Sequence, residues 1–442
     1  MQVRQRIAAA AMISALWWGA AWAIAAGLED TFYVPLDHPA IRYDQEPADD
    51  PVARFDKRLR AGQAKLEYRP NSGGYLSALL KEFGIPIESQ VLVFSKTSIQ
   101  AENINPRTPR AIYFNDAVSV GYVVGGDVLE LASLDPQRGV FLYSLDARPS
   151  VKPGFARRDD CLRCHQGPIT LGVPGILVSS LRPKMPQSGD VHGFSFITDH
   201  RTPFEERWGG WYVTGTHGGQ RHLGNNVGLI NPLNPGPPRD GGQNLTALPA
   251  IVDASRYLTN TSDLVALLTL EHQTRMTNLL VRVGWDTRIA ERDGKLEDKT
   301  GEALRKQLDE EIEELVKYLL FANEAPLKEP VAGVSAFTRT FPQRGGRDSK
   351  GRGLRDLDLK TRLFRYPLSY MIYSAAFDGM PVSVRARVYR RLFDVLTGKD
   401  QSEAFAKLSA GDRQAILEIL RETKVGLPEY WATPDTPVVV AR

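Results

Sequence analysis

The pattern of apolar and polar positions changes character several times along the 442 residues. Behind a short segment carrying Arg4 and Arg6, nearly every side chain from Ile7 to Leu28 is apolar. After it, Asp50-Pro51 has the form of an N-cap followed by proline at the first helical position. Val52, Phe55 and Leu59 then recur at helical spacing. A second helix is predicted through Leu76, Leu79, Leu80 and Phe83, stopped by Gly84. The period then shortens. Gln90–Ser95, Ala111–Phe114, Ser119–Val124, Val128–Ala132 and Val140–Leu145 are short runs rich in valine, tyrosine and phenylalanine, separated by Asn115-Asp116, Gly125-Gly126 and Asp135-Pro136. That spacing predicts a β-meander.

Further along, Thr202-Pro203-Phe204-Glu205 has the form of a capping box and predicts a short helix, and Trp211–Thr214 reads as a strand. Asn231–Asn244 is a proline- and glycine-rich loop. The remainder reads as helices over Asp263–Val283, Gly301–Phe321, Pro367–Phe377, Pro381–Thr397 and Asp412–Thr423. The expected class is α+β: a β-rich N-terminal unit with helices (27–150), a central segment (151–245) and a mainly helical region (246–442).

Charge and composition narrow the picture. The formal charge is +3, with 55 basic and 52 acidic residues. A basic n-region, an apolar h-region and small-residue sites such as Ala21-Trp22-Ala23 read as a secretory signal peptide over 1–26. An uncleaved membrane helix is the other reading of that stretch. Without Arg4 and Arg6 the balance is 53 basic against 52 acidic residues, +1, so bulk charge does not point to nucleic acid. The chain has only two cysteines, and a 42% hydrophobic content must supply stability through its core.

Those two cysteines stand in Cys161-Leu162-Arg163-Cys164-His165. Two thiols flanking two residues, with histidine next, is the attachment spacing of a haem c. Each thiol can form a thioether with a vinyl-derived carbon, and the adjacent histidine supplies the proximal nitrogen. Haem attachment of this kind takes place outside the cytoplasm, in accord with the N-terminal signal. At these five residues the chain resembles c-type cytochromes. The flanking sequence is similar to exported bacterial cytochrome-like proteins of uncharacterised activity. The resemblance implies one covalent haem c held by Cys161, Cys164 and His165, single-electron transfer with redox partner proteins, and a periplasmic or secreted location. A single motif disfavours a dihaem peroxidase.

Two other readings of the cysteines exist. A thioredoxin-like pair normally follows a strand in a βαβ unit, and Ala156–Asp160 carries no strand signal. A zinc site could add His217 and His222, but the loop from Cys164 to His217 is far longer than a finger loop. For the sixth iron position the candidates are Met185, His192, His200, His217, His222 and His272, with His217 preferred because the glycines around it admit a porphyrin face. His272 shares a helix stripe with Leu264, Leu268, Met276 and Leu279 and reads first as a core residue. Arg207 or Arg221 could pair with a propionate. Trp208 and Trp211 read as core packing before an electron path. The basic loop Arg344, Arg347, Lys350, Arg352 and Arg355 reads as a solvated loop, or else as a docking site for an acidic partner. The rival function is a haem enzyme or small-ligand sensor with an open distal face.

Overall fold

The structure, a computed structural model, describes residues 35–45, 47–70, 73–182, 195–230, 242–296 and 301–432. The segment 1–26 and the candidates Met185 and His192 lie outside the described residues. Helix α1 (Pro51–Arg60) starts where its sequence says it should, with the Asp50 carboxylate accepting from the Val52 and Ala53 N–H groups. Helix α2 (Leu76–Glu82) ends before Gly84, which takes φ +62°. The meander follows as β1 (Val91–Val93), β2 (Arg110–Phe114), β3 (Val118–Tyr122), β4 (Val128–Asp135) and β5 (Gly139–Asp146). The chain continues through β6 (Phe155–Arg157), the one-turn helix α3 (Leu162–His165), the pair β7 (Ser179–Leu181) and β8 (Ser195–Ile197), then β9 (Trp211–Tyr212) and β10 (Gly215–Thr216).

β6 and β9 join the two edges of the meander, giving a seven-stranded antiparallel sheet in the order β6-β5-β4-β3-β2-β1-β9. The strand β6 corrects the reading of Ala156–Asp160 as strandless. Three residues are too few to show a period, and only pairing with β5 defines them. The thioredoxin reading is not restored, because β6 runs antiparallel to its neighbour and leads into a single turn rather than a βαβ unit.

The alternation of the strands separates two faces. One carries Ala111, Tyr113, Val120, Leu131, Phe141 and Tyr143, all buried. It meets the N-terminal helices: Tyr143 donates to Asp50 at 2.6 Å, and Tyr43 stacks on Phe141 at 4.3 Å. The other face carries Arg110, Ile112, Ser119, Gly121, Glu130, Ala132 and Ser144.

Helix α4 (Leu264–Arg292) is the spine of the second half. Asp263 caps it, its Oδ1 accepting from the Val265 and Ala266 N–H groups, while Oδ2 accepts from the N–H groups of Val334 and Ser335 and ties that segment to the helix start. The helix is buried around most of its circumference, so its polar side chains are internal and must find partners. Gln273 donates to the Asn115 carbonyl and accepts from Tyr370, while Asn278 bonds both the N–H and the carbonyl of Ile176. Around it pack α5 (Glu302–Leu319), the short strand β11 (Ala332–Gly333, paired with β10), α6 (Phe337–Thr340), α7 (Ala375–Gly379) and α8 (Val382–Leu396), with α9 (Ala410–Thr423) against α8.

The expected boundaries at 150 and 245 divide the chain but not the core, since one continuous apolar cluster runs from Ile41 to Trp431. Two helical expectations shorten. The predicted capping box yields a single 3₁₀ turn over Phe204–Glu206, because Thr202 Oγ1 accepts from Asp199 N–H instead. Pro367–Phe377 resolves into a 3₁₀ turn, Tyr370–Tyr373, and α7. The basic loop is tied down: Arg344 pairs with Glu88, Arg347 with Asp356, Lys350 and Arg352 with Glu418, and Arg355 with Asp116.

Candidate functional site

The motif is delivered by β6. Arg157 turns to the first face, its guanidinium over the rings of Tyr43 and Phe141, and pairs with Asp159. Arg158 turns the other way and pairs with Asp160, while its backbone N–H continues the ladder to the Leu142 carbonyl. The chain then tightens through one 3₁₀ turn into α3, so Cys161, Cys164 and His165 follow one another on a single short turn. Cys161 is half-buried, Cys164 is exposed, and both thiols are free. Burial, reinforced by Asp160, pushes the Cys161 thiol up. A redox-active Cys-x-x-Cys needs the opposite shift.

His165 is fixed by the loop that follows. Gly167 donates to Thr170 Oγ1 and accepts from its N–H, and Leu171 (φ +62°) and Gly172 turn the chain back. This brings Gly175 onto the histidine twice: its N–H donates to the His165 carbonyl, and its carbonyl lies 2.8 Å from His165 Nδ1. A carbonyl only accepts, so Nδ1 carries the ring proton and Nε2 keeps its lone pair. Nε2 has no hydrogen-bond partner among the described residues and is not among the sealed, unpartnered nitrogens. Burial holds the imidazole below its ordinary pKa, with the Arg110 charge acting in the same direction, so the ring is neutral near pH 7. A metal-binding histidine is held in this way, with its far nitrogen oriented by a backbone carbonyl.

The motif lies over the second face of the sheet. Both Cys161 and His165 sense Glu130, which is paired to Arg110 at 2.9 Å and accepts from Ser98 and Gln100. The neighbouring positions are small: Ser119, Gly121, Ala132 and Ser144. A small pocket, with room for about one water molecule, lies between Ser119, Ala132, Ile176 and the α4 residues Gln273 and Thr277. Nothing in the sequence marked Arg110, Glu130 or Asn278 as neighbours of the motif, because the contacts come from register and from a helix about a hundred residues away.

The four described candidate histidines collect elsewhere. His200 and His272 place their Nδ1 atoms 2.8 Å apart, sharing one proton, and His272 Nε2 lies 2.7 Å from Ser369 Oγ. Both rings are buried against Tyr318 and Phe321, so His272 is the core residue its helix stripe indicated. Beside them Arg207 pairs with Glu271 at 3.0 Å and donates to the Thr202 and His200 carbonyls. That guanidinium is committed to the core and is not available to a propionate. Burial pushes Glu271 up to about 7 against the pull of Arg207.

His217 and His222 form a third group, with ring centres 4.8 Å apart and Phe204 and Trp208 against them. The structure does not bring His217 to His165. The backbone just before His217 packs at Leu264, whereas the loop holding His165 is bonded to Asn278 on the same helix. Fourteen residues of α-helix separate those anchors by about 21 Å. His217 Nε2, moreover, already accepts from the Asn244 N–H at 3.0 Å, so its other nitrogen carries the proton. The zinc reading fails on the same separation, and no group of three or more candidate ligands gathers round one point among the described residues. Trp211 is a packed residue whose indole donates to the Ser179 carbonyl.

No protein-family model, curated protein or solved structure matches the chain. No helix among the described residues is long and apolar enough to cross a membrane.

Proposed function

We propose that the protein is an exported monohaem c-type cytochrome, periplasmic or secreted, that passes single electrons to and from redox partner proteins. One observation carries the reading. On a single turn the chain presents two free thiols and a histidine whose Nδ1 is bonded to the Gly175 carbonyl while Nε2 is left with a lone pair and no partner. These residues fit a haem c: Cys161 and Cys164 would tether it, and His165 would ligate the iron. The haem, when bound, supplies a one-electron couple. The chain's own contribution is orientation. Gly175 fixes the imidazole tautomer, Asn278 fixes the loop carrying Gly175, and the Arg110–Glu130 pair sets the charge nearby.

A second reading, a haem enzyme or small-ligand sensor with an open distal face, has a specific observation in its favour. None of the described hydrogen-bond, ring or electrostatic partners of His165 is another histidine or a methionine. Of the sequence candidates, Met185 and His192 fall outside the described residues, and the other four sit in the two separate clusters. The test is the absorption spectrum of the reduced protein with and without carbon monoxide. An unaltered low-spin spectrum supports electron transfer, and a carbon monoxide complex formed at once supports the open site.

A further inference from the structure

Two carboxyl groups meet where α4 and α5 pack together, beside the loop that follows the haem motif. Asp286 on α4 accepts from Arg282 Nε at 2.6 Å. Glu311 on α5 accepts from Gln307 at 2.9 Å and lies 3.7 Å from Arg282 Nη2. The three charged side chains are largely buried, with 14% of Arg282, 10% of Asp286 and 20% of Glu311 exposed. The Asp286 carboxyl bonds Glu311 directly, and no N–H or O–H group of any other described residue reaches the buried Glu311 Oε2. Two carboxyl groups bond each other only with a proton between them, so the pair holds one. Burial first, and the Asp286 charge second, keep the Glu311 carboxyl well above the usual carboxylate range.

The same guanidinium grips the loop. Arg282 Nη1 donates to the Leu171 carbonyl at 3.0 Å. Leu171 stands at φ +62°, a left-handed backbone that a leucine rarely takes. Four residues on, Gly175 makes its two bonds to His165, so Arg282 holds the loop that sets the His165 ring. The loop itself, 166–176, carries no ionisable side chain. The charges acting on Glu311 are Asp286 and Arg282. Of the other charged groups nearby on α5, Glu310 pairs with Lys306, Glu313 with Arg391 and Glu314 with Arg201, while Arg288 of α4 donates to the Gln137 and Gly379 carbonyls.

We propose that the proton shared by Asp286 and Glu311 latches the loop behind the haem motif: while it is held, Arg282 stays on the Leu171 carbonyl, and its loss lets the loop open. With both carboxylates ionised, one guanidinium faces two negative charges and is drawn towards Glu311 at the expense of the carbonyl. Opening admits water and returns the pair to the ordinary carboxylate range, so the closed loop is the state that binds the proton more tightly. Its advantage falls as pH rises out of that range, and levels once the closed state has also lost the proton. The bearing on the iron rests on the haem reading, but the latch does not, because the loop can be followed with or without haem.

The test is hydrogen–deuterium exchange of the purified full-length protein, read by mass spectrometry on peptides spanning 166–176 at pH 6, 7, 8 and 9 and corrected for the intrinsic exchange rate. Glu311→Gln mimics the protonated carboxyl and keeps the latch shut. Between pH 6 and pH 9 wild-type protection should fall at least about fivefold further than that of the variant. A smaller difference, or no fall in wild type, overturns the latch. Should Glu311→Gln fail to fold, Asp286→Asn leaves a single carboxyl with no proton to share and should flatten the profile in the same way. A wild-type-like fall in that variant overturns the proposal.

Discussion

His165 and Gly175 are joined by two hydrogen bonds, one between backbones and one from the imidazole Nδ1 to the Gly175 carbonyl, both 2.8 Å long. The pair turns a flexible post-motif loop into a clamp on the ring. Its rigidity comes from α4, because Asn278 holds the next residue, Ile176, at both its N–H and its carbonyl.

Gly175 should therefore resist any side chain. A Cβ there would collide with Asn278 Oδ1, so Gly175→Ala is expected to destabilise the protein by about 1–3 kcal/mol. Removing the obstacle with Asn278→Ala should make the second substitution cheaper, with a coupling of at least about 0.5 kcal/mol in a double-mutant cycle followed by urea denaturation. Additive effects would mean that the clamp does not run through Asn278.

His217→Ala should leave the spin state of the iron unchanged, since the Asn244 N–H occupies Nε2 and the ring lies with His222. Stability should fall by about 1–2 kcal/mol as that N–H loses its acceptor. Electron paramagnetic resonance reads the first effect and thermal unfolding the second. Conversion from low to high spin would return His217 to the iron.

Glu271 sets a pH dependence. Burial raises its folded-state pKa to about 7 from an ordinary 4.5. As pH rises above 4.5 the unfolded chain loses its proton while the folded chain keeps one, so stability declines across pH 4.5 to 7 and then levels. The decline attributable to this group is up to about 3 kcal/mol. Glu271→Gln, which mimics the protonated side chain, should remove that slope in urea denaturation series at pH 5, 6, 7 and 8. Parallel profiles for the two proteins would contradict the assignment.

Arg207→Met probes the same pair from the other side. It leaves the Glu271 carboxylate buried and unpaired, with an expected loss of about 3–5 kcal/mol at pH 8. The loss should shrink at pH 5, where Glu271 is protonated with or without its partner. A loss that does not vary with pH would place the role of Arg207 in its bonds to the Thr202 and His200 carbonyls instead.

The elements legible in the sequence are those whose signal is local. Asp50 and Asp263 cap the helices they precede, and all five runs of the meander are strands. Helix α4 extends past Val283 to Arg292 because the later turns stay packed, with Trp285 and Ala290 both buried. What was not legible depends on pairing across long separations. β6 exists only through β5, and β9 reaches the sheet only through β1. The motif itself was readable from five residues, whereas its support, Gly175 and Asn278, carries no sequence mark. The choice of His217 rested on glycines nearby. Those glycines serve other contacts: a Cβ on Gly218 would strike Glu329, and Gly219 donates its N–H to the same carboxylate.

The central claim is that Cys161, Cys164 and His165 hold one covalent haem. Intact-mass spectrometry of the denatured protein, produced in a host that exports it and attaches haem c, tests it most directly. The account predicts a mass above that of the mature polypeptide by one haem, lost in Cys161→Ala with Cys164→Ala. A wild-type mass equal to the bare polypeptide would contradict it.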